Sequence, residues 1–307
     1  MMTAAAHTLA DEMAERISSA TVIRRDEPLA RHTTLRIGGP ADVYVEPASE
    51  ADLAAILIIC GEQAVNFFVL GRGSNLLVRD GGFRGVVICL AHANFSRIEI
   101  DGERLRCGAG AKLKNVSVEA KRNNLSGVEF LEGIPGSVGG ALRMNAGAMG
   151  AWTFGAVESL RFMDHAGEIF ERVAAEVPVE YRACPLLKNH IALGAVFKCT
   201  TLSREEIEKR MMAFSEKRWE SQPAAPSAGC IFKNPAAIPA GKLIDELGLK
   251  KMRVGGAMVS VEHGNFIVND GRATAQDVLE LIELLKARAK NERGIDLHTE
   301  VEIIGEP

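Results

Sequence analysis

The sequence lacks the features of a membrane protein, a nucleic-acid-binding protein or a secreted one. Its longest apolar run, 53–60, is far shorter than the roughly 18 residues of a membrane-spanning segment. A formal net charge of −4 at pH 7 argues against a nucleic acid or an anionic membrane as the main partner. Acidic residues at positions 11, 12 and 15 stand where a signal peptide would have its apolar core, so we expect a cytoplasmic protein.

The six cysteines form no recognisable metal or redox motif. No C-x-x-C pair and no matching set of histidines is present, so neither a zinc site nor a redox dithiol is supported, and we expect no bound metal. In a reducing cytosol the cysteines should be free thiols. Cys60, Cys89 and Cys199 lie in apolar runs typical of a buried core, whereas Cys230 follows a Ser-Ala-Gly stretch.

Short strand patterns and short helix patterns alternate from residue 33 onward. A chain of 307 residues that is 47% apolar can bury a large core and is long enough for two or three domains. The Asp101-Gly102 turn between two alternating segments predicts a β-hairpin. Because no long β-α repeat recurs, the pattern favours an α+β fold over a regular parallel barrel.

Two stretches carry helix start signals, in which a polar cap residue precedes an acidic residue and an apolar stripe. They begin at Ser49 and Ser203. A longer helix is predicted from Thr274 to about residue 292, because its apolar residues follow a helical spacing and Gly294 should end it.

Glycine is concentrated in the stretch 133–147, where it occupies five of fifteen positions. Glycine lets the backbone approach a ligand because no Cβ stands between them. Such a loop, leading to a helix start near Ala141, predicts a nest of exposed amides that binds an anion, and Arg143 could add a fixed charge. The alternative is a tight turn between buried elements. A second glycine loop, 71–78, favours ligand binding over that alternative.

Neither glycine loop matches the common nucleotide-binding fingerprints. No G-x-G-x-x-G opens a long helix and no G-x-x-x-x-G-K-[ST] is present, so Rossmann and P-loop folds are disfavoured. Two unrelated glycine loops in one chain suit a long diphosphate cofactor held from two sides.

Three motifs in these loops resemble one family closely. Gly-Arg-Gly-Ser-Asn-Leu-Leu at 71–77, Gly-Ile-Pro-Gly-Ser-Val-Gly-Gly-Ala at 133–141 and Asn-Ala-Gly-Ala at 145–148 are similar to those of UDP-N-acetylenolpyruvoylglucosamine reductases, the MurB family. The likeness runs from about residue 33 to 306. It implies FAD bound in a vanillyl-alcohol-oxidase, PCMH-type domain of two subdomains, with a smaller α+β substrate-binding domain. The cofactor-binding residues that it implies are Gly71, Arg72, Gly73, Ser74, Asn75, Leu76, Gly133, Ile134, Pro135, Gly136, Ser137, Gly139, Gly140, Arg143, Asn145, Ala146 and Gly147.

The element pattern and the resemblance together predict domains in consecutive order. The first 32 residues are expected to form a helical arm, because Leu9, Met13 and Ile17 follow a weak helical spacing. The boundaries that follow are 33–200 for the FAD-binding domain, with subdomains of about 33–90 and 91–200, then 201–299 for the substrate-binding domain and 300–307 for a final strand with a catalytic glutamate.

Three residues are candidates for the chemistry through the resemblance. Read alone, Arg182 is a surface arginine or an ion-pair partner, Glu300 a solvent-facing strand residue and Cys230 a small buried side chain. The family pattern maps a carboxylate-binding arginine to Arg182, a catalytic glutamate to Glu300 and a proton donor to Cys230, where many members have serine. A guanidinium binds a planar carboxylate through two hydrogen bonds. A thiol, with a reference pKa of about 8.5, is a better acid than an aliphatic hydroxyl.

Further pocket residues follow from the same resemblance. Asn234 corresponds to a contact with the nicotinamide nucleotide and the substrate, and His263 with Asn265 to another pocket contact. A structural histidine is an equal alternative for His263. The short chain between residues 182 and 195 indicates a type II member of the family.

The resemblance also implies a reaction in two halves. NADPH delivers hydride to FAD and is replaced by UDP-N-acetylglucosamine enolpyruvate, which takes hydride at C3 from flavin N5 and a proton at C2 from Cys230. Arg182 and Glu300 would stabilise the enol or enolate form. Two alternatives stay open: another FAD oxidoreductase of this fold that acts on an alcohol or hydroxy acid, and a non-catalytic nucleotide-sugar-binding or flavin-binding protein. We expect a monomer with small-molecule partners only, acting in peptidoglycan precursor synthesis.

Overall fold

The structure, a computed structural model, describes residues 4–307, with side chains from residue 8 onward. The helices are α1 (Ala4–Arg16), α2 (Glu50–Glu62), α3 (Leu113–Arg122), α4 (Val138–Arg143), α5 (Thr153–Ala156), α6 (Arg204–Ser221), α7 (Ala240–Glu246) and α8 (Ala275–Arg293). The strands are β1 (Val22–Pro28), β2 (Pro40–Glu46), β3 (Phe67–Leu70), β4 (Leu76–Val78), β5 (Phe83–Cys89), β6 (Ile98–Asp101), β7 (Arg104–Gly108), β8 (Leu125–Ser126), β9 (Gly147–Ala148), β10 (Ala151–Trp152), β11 (Val157–Met163), β12 (Ile169–Val173), β13 (Ile191–Lys198), β14 (Thr200–Thr201), β15 (Ser227–Cys230), β16 (Arg253–Val254), β17 (Ala257–Val259), β18 (Phe266–Asn269) and β19 (Glu302–Ile304).

The chain forms two compact units, each assembled from three separate stretches. Unit 1 contains the described part of Met1–Arg25, together with Asp42–Arg72 and Gly85–Glu216. Unit 2 contains Asp26–Ala41, Gly73–Arg84 and Lys217–Pro307. The units are interleaved along the chain, whereas the sequence predicts consecutive domains, and the boundaries at 32, 90, 200 and 299 stay a prediction.

Unit 1 has a five-stranded antiparallel sheet of order β12-β11-β13-β7-β6. The predicted hairpin of β6 and β7 is confirmed, and Gly102 takes the left-handed conformation (φ +57°) that its turn requires. In a second sheet, β3 and β5 pair in parallel, with Leu70 opposite Cys89. Helix α2 begins where predicted, since Ser49 accepts a hydrogen bond from the Asp52 amide. Both sheets pack on one apolar core with α2, α3 and α4.

Unit 2 has an antiparallel sheet of order β15-β18-β17-β16, covered by α7 and α8. A separate parallel pair joins β19 to β4, with Glu302 opposite Leu76. The long helix α8 starts and stops as predicted, because Thr274 and Asp277 form a capping box and Gly294 (φ +67°) ends the helix. These elements enclose a second apolar core.

The N-terminal region departs from the predicted helical arm. Helix α1 ends at Arg16 and buries Leu9 and Met13 against unit 1, but Val22–Pro28 forms strand β1, so the prediction of helix is wrong there. The chain leaves the helix because Asp52 accepts hydrogen bonds from the Ser18 amide and the Thr21 hydroxyl. Residues 1–3 of the predicted arm lie outside the described residues. Within 4–307, no helix has the length and apolarity that crossing a membrane requires.

Candidate active site

The two glycine loops meet in unit 1. Gly71 follows strand β3 and is exposed, and a Cβ placed on it would lie 2.9 Å from Ser137 Oγ and 3.9 Å from Gly140 Cα. A Cβ on Gly140 would meet only Ser137 Oγ, at 3.6 Å. The loops therefore lie side by side, with Gly71 close against Ser137 and with an open side at Gly140 that could face a ligand such as a dinucleotide cofactor.

The amides at the start of α4 do not form the expected anion nest. Val138 and Gly139 donate to the carbonyls of Ala111 and Ala109, at 2.9 and 2.8 Å. The next two amides donate to Ser137, one to its Oγ at 3.4 Å and one to its carbonyl at 2.9 Å. The expectation of consecutive exposed amides is wrong here, because the helix begins at Val138 rather than at Ala141 and its first amides fasten the loop to residues 109–111.

Asn145 fastens the next part of this loop to the segment that carries Arg182. It is buried with φ +39°, its Nδ2 donates to the Glu180 carbonyl at 3.2 Å, and its Oδ1 accepts from the Phe154 amide at 3.2 Å. The Cys184 amide donates to the Arg143 carbonyl at 3.0 Å. Asn145 and Arg143 thus support the loop from within unit 1.

Arg182 lies beside the glycine loop in unit 1. A Cβ placed on Gly147 would lie 3.3 Å from Arg182 Nη1. Its guanidinium carbon lies 5.1 Å from the centre of the Tyr181 ring. Arg182 is half-buried, with a left-handed backbone (φ +57°) in a turn closed by reciprocal hydrogen bonds between Glu180 and Ala183. A non-glycine residue in this conformation must be held by its surroundings. The turn therefore fixes the backbone position from which the Arg182 side chain extends.

Cys230 ends strand β15 in unit 2. It pairs with Phe266 across a register shift, next to Gly229 at φ +74°. Irregularities of this kind change the direction in which a side chain points. Cys230 is half-buried, whereas the other five cysteines are buried, as predicted for Cys60, Cys89 and Cys199. Of all the described cysteines it is therefore the accessible one.

The backbone of Glu300 lies beside Ile231, the residue after Cys230, within unit 2. The Glu300 amide donates to the Ile231 carbonyl at 2.7 Å, and Phe232 pairs with Thr299 in antiparallel fashion. Asn75 Nδ2 donates to the Glu300 carbonyl at 3.1 Å. The segments that carry Cys230 and Glu300 thus lie side by side in unit 2, and Asn75 of the first glycine loop contacts the second of them.

Thr34 is a residue that the sequence reasoning missed. Its Oγ1 donates to the Ser227 carbonyl at 2.7 Å, and its amide donates to the Gly73 carbonyl at 3.1 Å. Gly73 has φ +59°, and a Cβ on it would lie 2.3 Å from the His32 carbonyl oxygen. Thr34 therefore connects the glycine loop to β15. No local pattern could reveal this, because its partners lie 39 and 193 positions away.

The predicted substrate contacts Asn234 and His263 both have partners inside the protein. Asn234 Oδ1 accepts a hydrogen bond from the Ala240 amide at 3.0 Å, at the start of α7. His263 Nδ1 accepts from the Asn265 amide at 3.1 Å, and its ring stands edge-on to Phe266 with 4.9 Å between ring centres. Burial, followed by the charge of Lys250, lowers the pKa of His263, which favours the neutral ring. Contacts of these residues with the substrate stay a prediction.

Asn265 is buried in unit 2, and its side-chain amide makes two hydrogen bonds to one neighbour. Its Oδ1 accepts from the Phe232 amide at 2.9 Å, and its Nδ2 donates to the Phe232 carbonyl at 2.8 Å. Both polar ends of the side chain therefore hydrogen-bond to the segment that follows Cys230.

Among the described residues, no group of three or more His, Cys, Asp and Glu side chains could hold a metal ion.

Comparisons with known proteins show which family the chain resembles. A model of an FAD-binding domain matches residues 41–172, and a model of the UDP-N-acetylenolpyruvoylglucosamine reductase C-terminal domain matches residues 222–304. The chain is 42% identical to the UDP-N-acetylenolpyruvoylglucosamine reductase of Clostridium botulinum strain 657 over 283 residues, which is 92% of each chain. It is 44% identical to that of Geotalea uraniireducens over 285 residues, 92% of this chain and 94% of the relative.

A solved structure gives the same result. The crystal structure of the MurB reductase from Thermus caldophilus superposes with a TM-score of 0.81 at 39% identity, covering 92% of this chain and 99% of the other. The predicted fold class, α+β with an FAD-binding domain and a smaller C-terminal domain, is confirmed.

Proposed function

This chain belongs to the UDP-N-acetylenolpyruvoylglucosamine reductase (MurB) family, and we propose that Arg182, Cys230 and Glu300 are its catalytic residues. The protein is an FAD- and NADPH-dependent UDP-N-acetylmuramate dehydrogenase of peptidoglycan precursor synthesis, as the resemblance implied. The observation that best supports the residue assignment is the backbone hydrogen bond from the Glu300 amide to the carbonyl of Ile231, the residue that follows Cys230.

The residues that would hold FAD come from both glycine loops. Within unit 1 they are Gly71, Arg72 and the stretch 133–147, whose open backbone at Gly140 fits the cofactor. The first glycine loop continues in unit 2, where residues 73–76 are also proposed to contact FAD. When bound, the flavin takes hydride from NADPH and passes it to the double bond of the enolpyruvyl group.

Arg182 is proposed to bind the carboxylate of the enolpyruvyl group. Its guanidinium is always charged, and it can donate two parallel hydrogen bonds to a planar carboxylate. As negative charge moves toward that carboxylate during reduction, a fixed cation stabilises the transition state more than the ground state. The support is the location of Arg182 beside Gly147 of the glycine loop.

Cys230 is proposed to give the proton to C2 of the enolpyruvyl group, and Glu300 to act on the same developing charge. A neutral thiol with a reference pKa of about 8.5 can serve as a general acid near neutral pH. Glu300 in its protonated form can donate a hydrogen bond to the enolate oxygen. Cys230 is half-buried and therefore reachable, as a proton donor must be.

We also propose a cytoplasmic location and a monomeric state. The measurement that tests the monomer is the molar mass in solution across a range of concentrations.

The proposed roles are tested by separating the two halves of the reaction. In stopped flow, NADPH should bleach the flavin absorbance, and the enolpyruvyl substrate should restore it in a second mixing step. Oxidation of NADPH at the same rate with and without the substrate would contradict the assignment.

A further inference from the structure

The peptide that follows Cys230 is held on one edge by a single side chain. Asn265 is only 2% exposed, and it binds both the amide and the carbonyl of Phe232, at 2.9 and 2.8 Å. The Asn265 carbonyl also accepts from the Ile231 amide at 2.9 Å. Strand β18 begins at Phe266, which pairs with Cys230, so the strand pairing does not extend to the residues after Cys230. The hydrogen bonds of Asn265 take the place of that pairing for Ile231 and Phe232.

The other edge of the same peptide is held by the Glu300 segment. The Ile231 carbonyl accepts from the Glu300 amide at 2.7 Å and from the Val301 amide at 3.4 Å. The Lys233 amide donates to the His298 carbonyl at 2.9 Å. Residues 231–233 therefore lie between Asn265 and the segment 298–301, which precedes strand β19, so a shift of this peptide would move Cys230 relative to Glu300.

We propose that Asn265 is a positioning residue that fixes the Cys230 thiol relative to the Glu300 carboxyl. This inference rests on the catalytic roles proposed above. A direct contact of Asn265 with the substrate stays a prediction, whereas the positioning role follows from the two hydrogen bonds between its side chain and Phe232. A displacement of about 1 Å at a reacting group can cost on the order of 100-fold in rate, so a small shift of this peptide should be measurable.

The substitution Asn265→Asp should make flavin reoxidation depend on pH in a way that general destabilisation would not. An ionised carboxylate accepts from the Phe232 amide but cannot donate to the Phe232 carbonyl, whereas the protonated form can do both. In N265D, flavin reoxidation by the substrate should be roughly 10- to 100-fold slower than in the wild type at pH 8. It should approach the wild-type rate as the pH falls and the carboxyl takes up a proton. Flavin reduction by NADPH should be unchanged.

Other titratable groups near this peptide are present in both proteins. Cys230 and Lys233 flank it in sequence, and His298 and Glu300 lie in the segment hydrogen-bonded to its other edge. His263 accepts a hydrogen bond from the backbone amide of Asn265. Their titration appears in the wild-type profile as well, so the ratio of variant to wild-type rate at each pH isolates the introduced carboxyl.

Asn269 supplies the matched control. It is the last residue of strand β18, which begins directly after Asn265. It is also buried (6% exposed), and its Nδ2 donates to the Leu35 carbonyl at 3.0 Å. Its Oδ1 accepts from the Gly271 and Ala273 amides. N269D therefore introduces the same buried charge without contact to the Cys230 peptide, and its reoxidation rate should keep a constant ratio to the wild type across the pH range.

A second measurement does not depend on turnover. In the holoenzyme without substrate, a small alkylating reagent should modify Cys230 at least roughly threefold faster in N265A than in the wild type, because the released peptide exposes the thiol. N269A should react at the wild-type rate, and C230S gives the background from other thiols. If N265A does not fold, Asn265→Gln takes its place, since the longer amide keeps a donor and an acceptor but displaces Phe232.

The outcomes distinguish this inference from the proposed function. Wild-type reoxidation and wild-type alkylation in the Asn265 variants, combined with loss of turnover in C230A, would overturn the positioning role alone. Full turnover in C230A would overturn the proposed donor, and the alkylation comparison would then still decide whether Asn265 holds the peptide. Flavin reoxidation that is slow in N265D at every pH, and equally slow in N269D, would show that Asn265 contributes only to folding.

Discussion

Cys230 is the residue at which the chemistry can be tested most directly. Cys230→Ser should keep partial activity, because a hydroxyl occupies nearly the same place as the half-buried thiol, whereas Cys230→Ala should not turn over. The alanine variant should still bind FAD and still be bleached by NADPH. Stopped-flow absorbance separates these steps. Full turnover by Cys230→Ala would show that another group supplies the proton.

Accessibility of Cys230 gives an independent prediction. A small alkylating reagent should inactivate the wild type, and bound substrate should protect it. The buried thiols should react slowly, and burial raises the pKa of Cys60 to about 11 and that of Cys107 to about 12, which keeps them protonated. Cys230→Ser is the control and should resist the reagent. Inactivation of that variant at the wild-type rate would assign the effect to another site.

Arg182 and Glu300 are predicted to act on the substrate half of the reaction only. Neutral replacements, Arg182→Met and Glu300→Gln, should slow flavin reoxidation by about 100-fold or more, roughly 3 kcal/mol of transition-state stabilisation. Flavin reduction by NADPH should stay near the wild-type rate. Arg104→Met is a suitable control, because Arg104 pairs with Glu158 on the exposed sheet surface. A slowdown confined to the NADPH half would contradict these roles.

At the scale of elements, the glycine loops divide into positions that serve the fold and positions left open. Gly73→Val should destabilise the protein itself, since φ is +59° and a Cβ would lie 2.3 Å from the His32 carbonyl oxygen. Gly140→Val should instead fold and lose FAD, because only Ser137 Oγ stands near the new side chain, at 3.6 Å. Thermal unfolding and flavin content measure the two effects. Stoichiometric flavin in folded Gly140→Val would remove this loop from the cofactor site.

The start of helix α8 predicts a pH dependence of stability. The pKa of Asp277 is lowered, first by the hydrogen bond from the Thr274 amide and then by that from the Gly256 amide. A lowered folded-state pKa means that this stabilisation is present above the ordinary carboxyl pKa of about 4 and is lost as the pH falls below it. Asp277→Asn should therefore reduce the acid sensitivity of unfolding.

Thr274→Ala removes the N-cap of the same helix and should lower the free energy of unfolding by about 1 kcal/mol near neutral pH. Urea titrations at several pH values measure both effects.

At the scale of the whole molecule, the cofactor should stabilise the native state. FAD that binds the folded chain and not the unfolded one adds stability by mass action, about 2.7 kcal/mol when free FAD is at 100 times its Kd. Removing FAD should lower Tm, and adding it back should restore Tm. NADPH alone should not replace it. An apo-protein with the same Tm at every FAD concentration would contradict binding to the native state.

Local sequence determined the parts of this protein whose partners are close along the chain. The cap of Ser49 with Asp52, the Asp101-Gly102 turn, and the apolar stripe of α8 with Gly294 each involve residues within a short stretch or a single helix. Residue type and spacing therefore sufficed. The glycine motifs likewise identified the family, because they occupy short continuous stretches. Helix was wrongly predicted for Val22–Pro28, since the turn before it depends on Asp52.

Only the tertiary structure decided what each site residue touches. Asn265 reaches Phe232, Thr34 reaches Ser227, and the Glu300 amide reaches Ile231, all across long stretches of chain. The amides of Val138 and Gly139, expected to face a ligand, donate to residues 109–111 instead. Buried backbone amides and carbonyls must find partners wherever folding places them, and a one-dimensional pattern does not contain those distances.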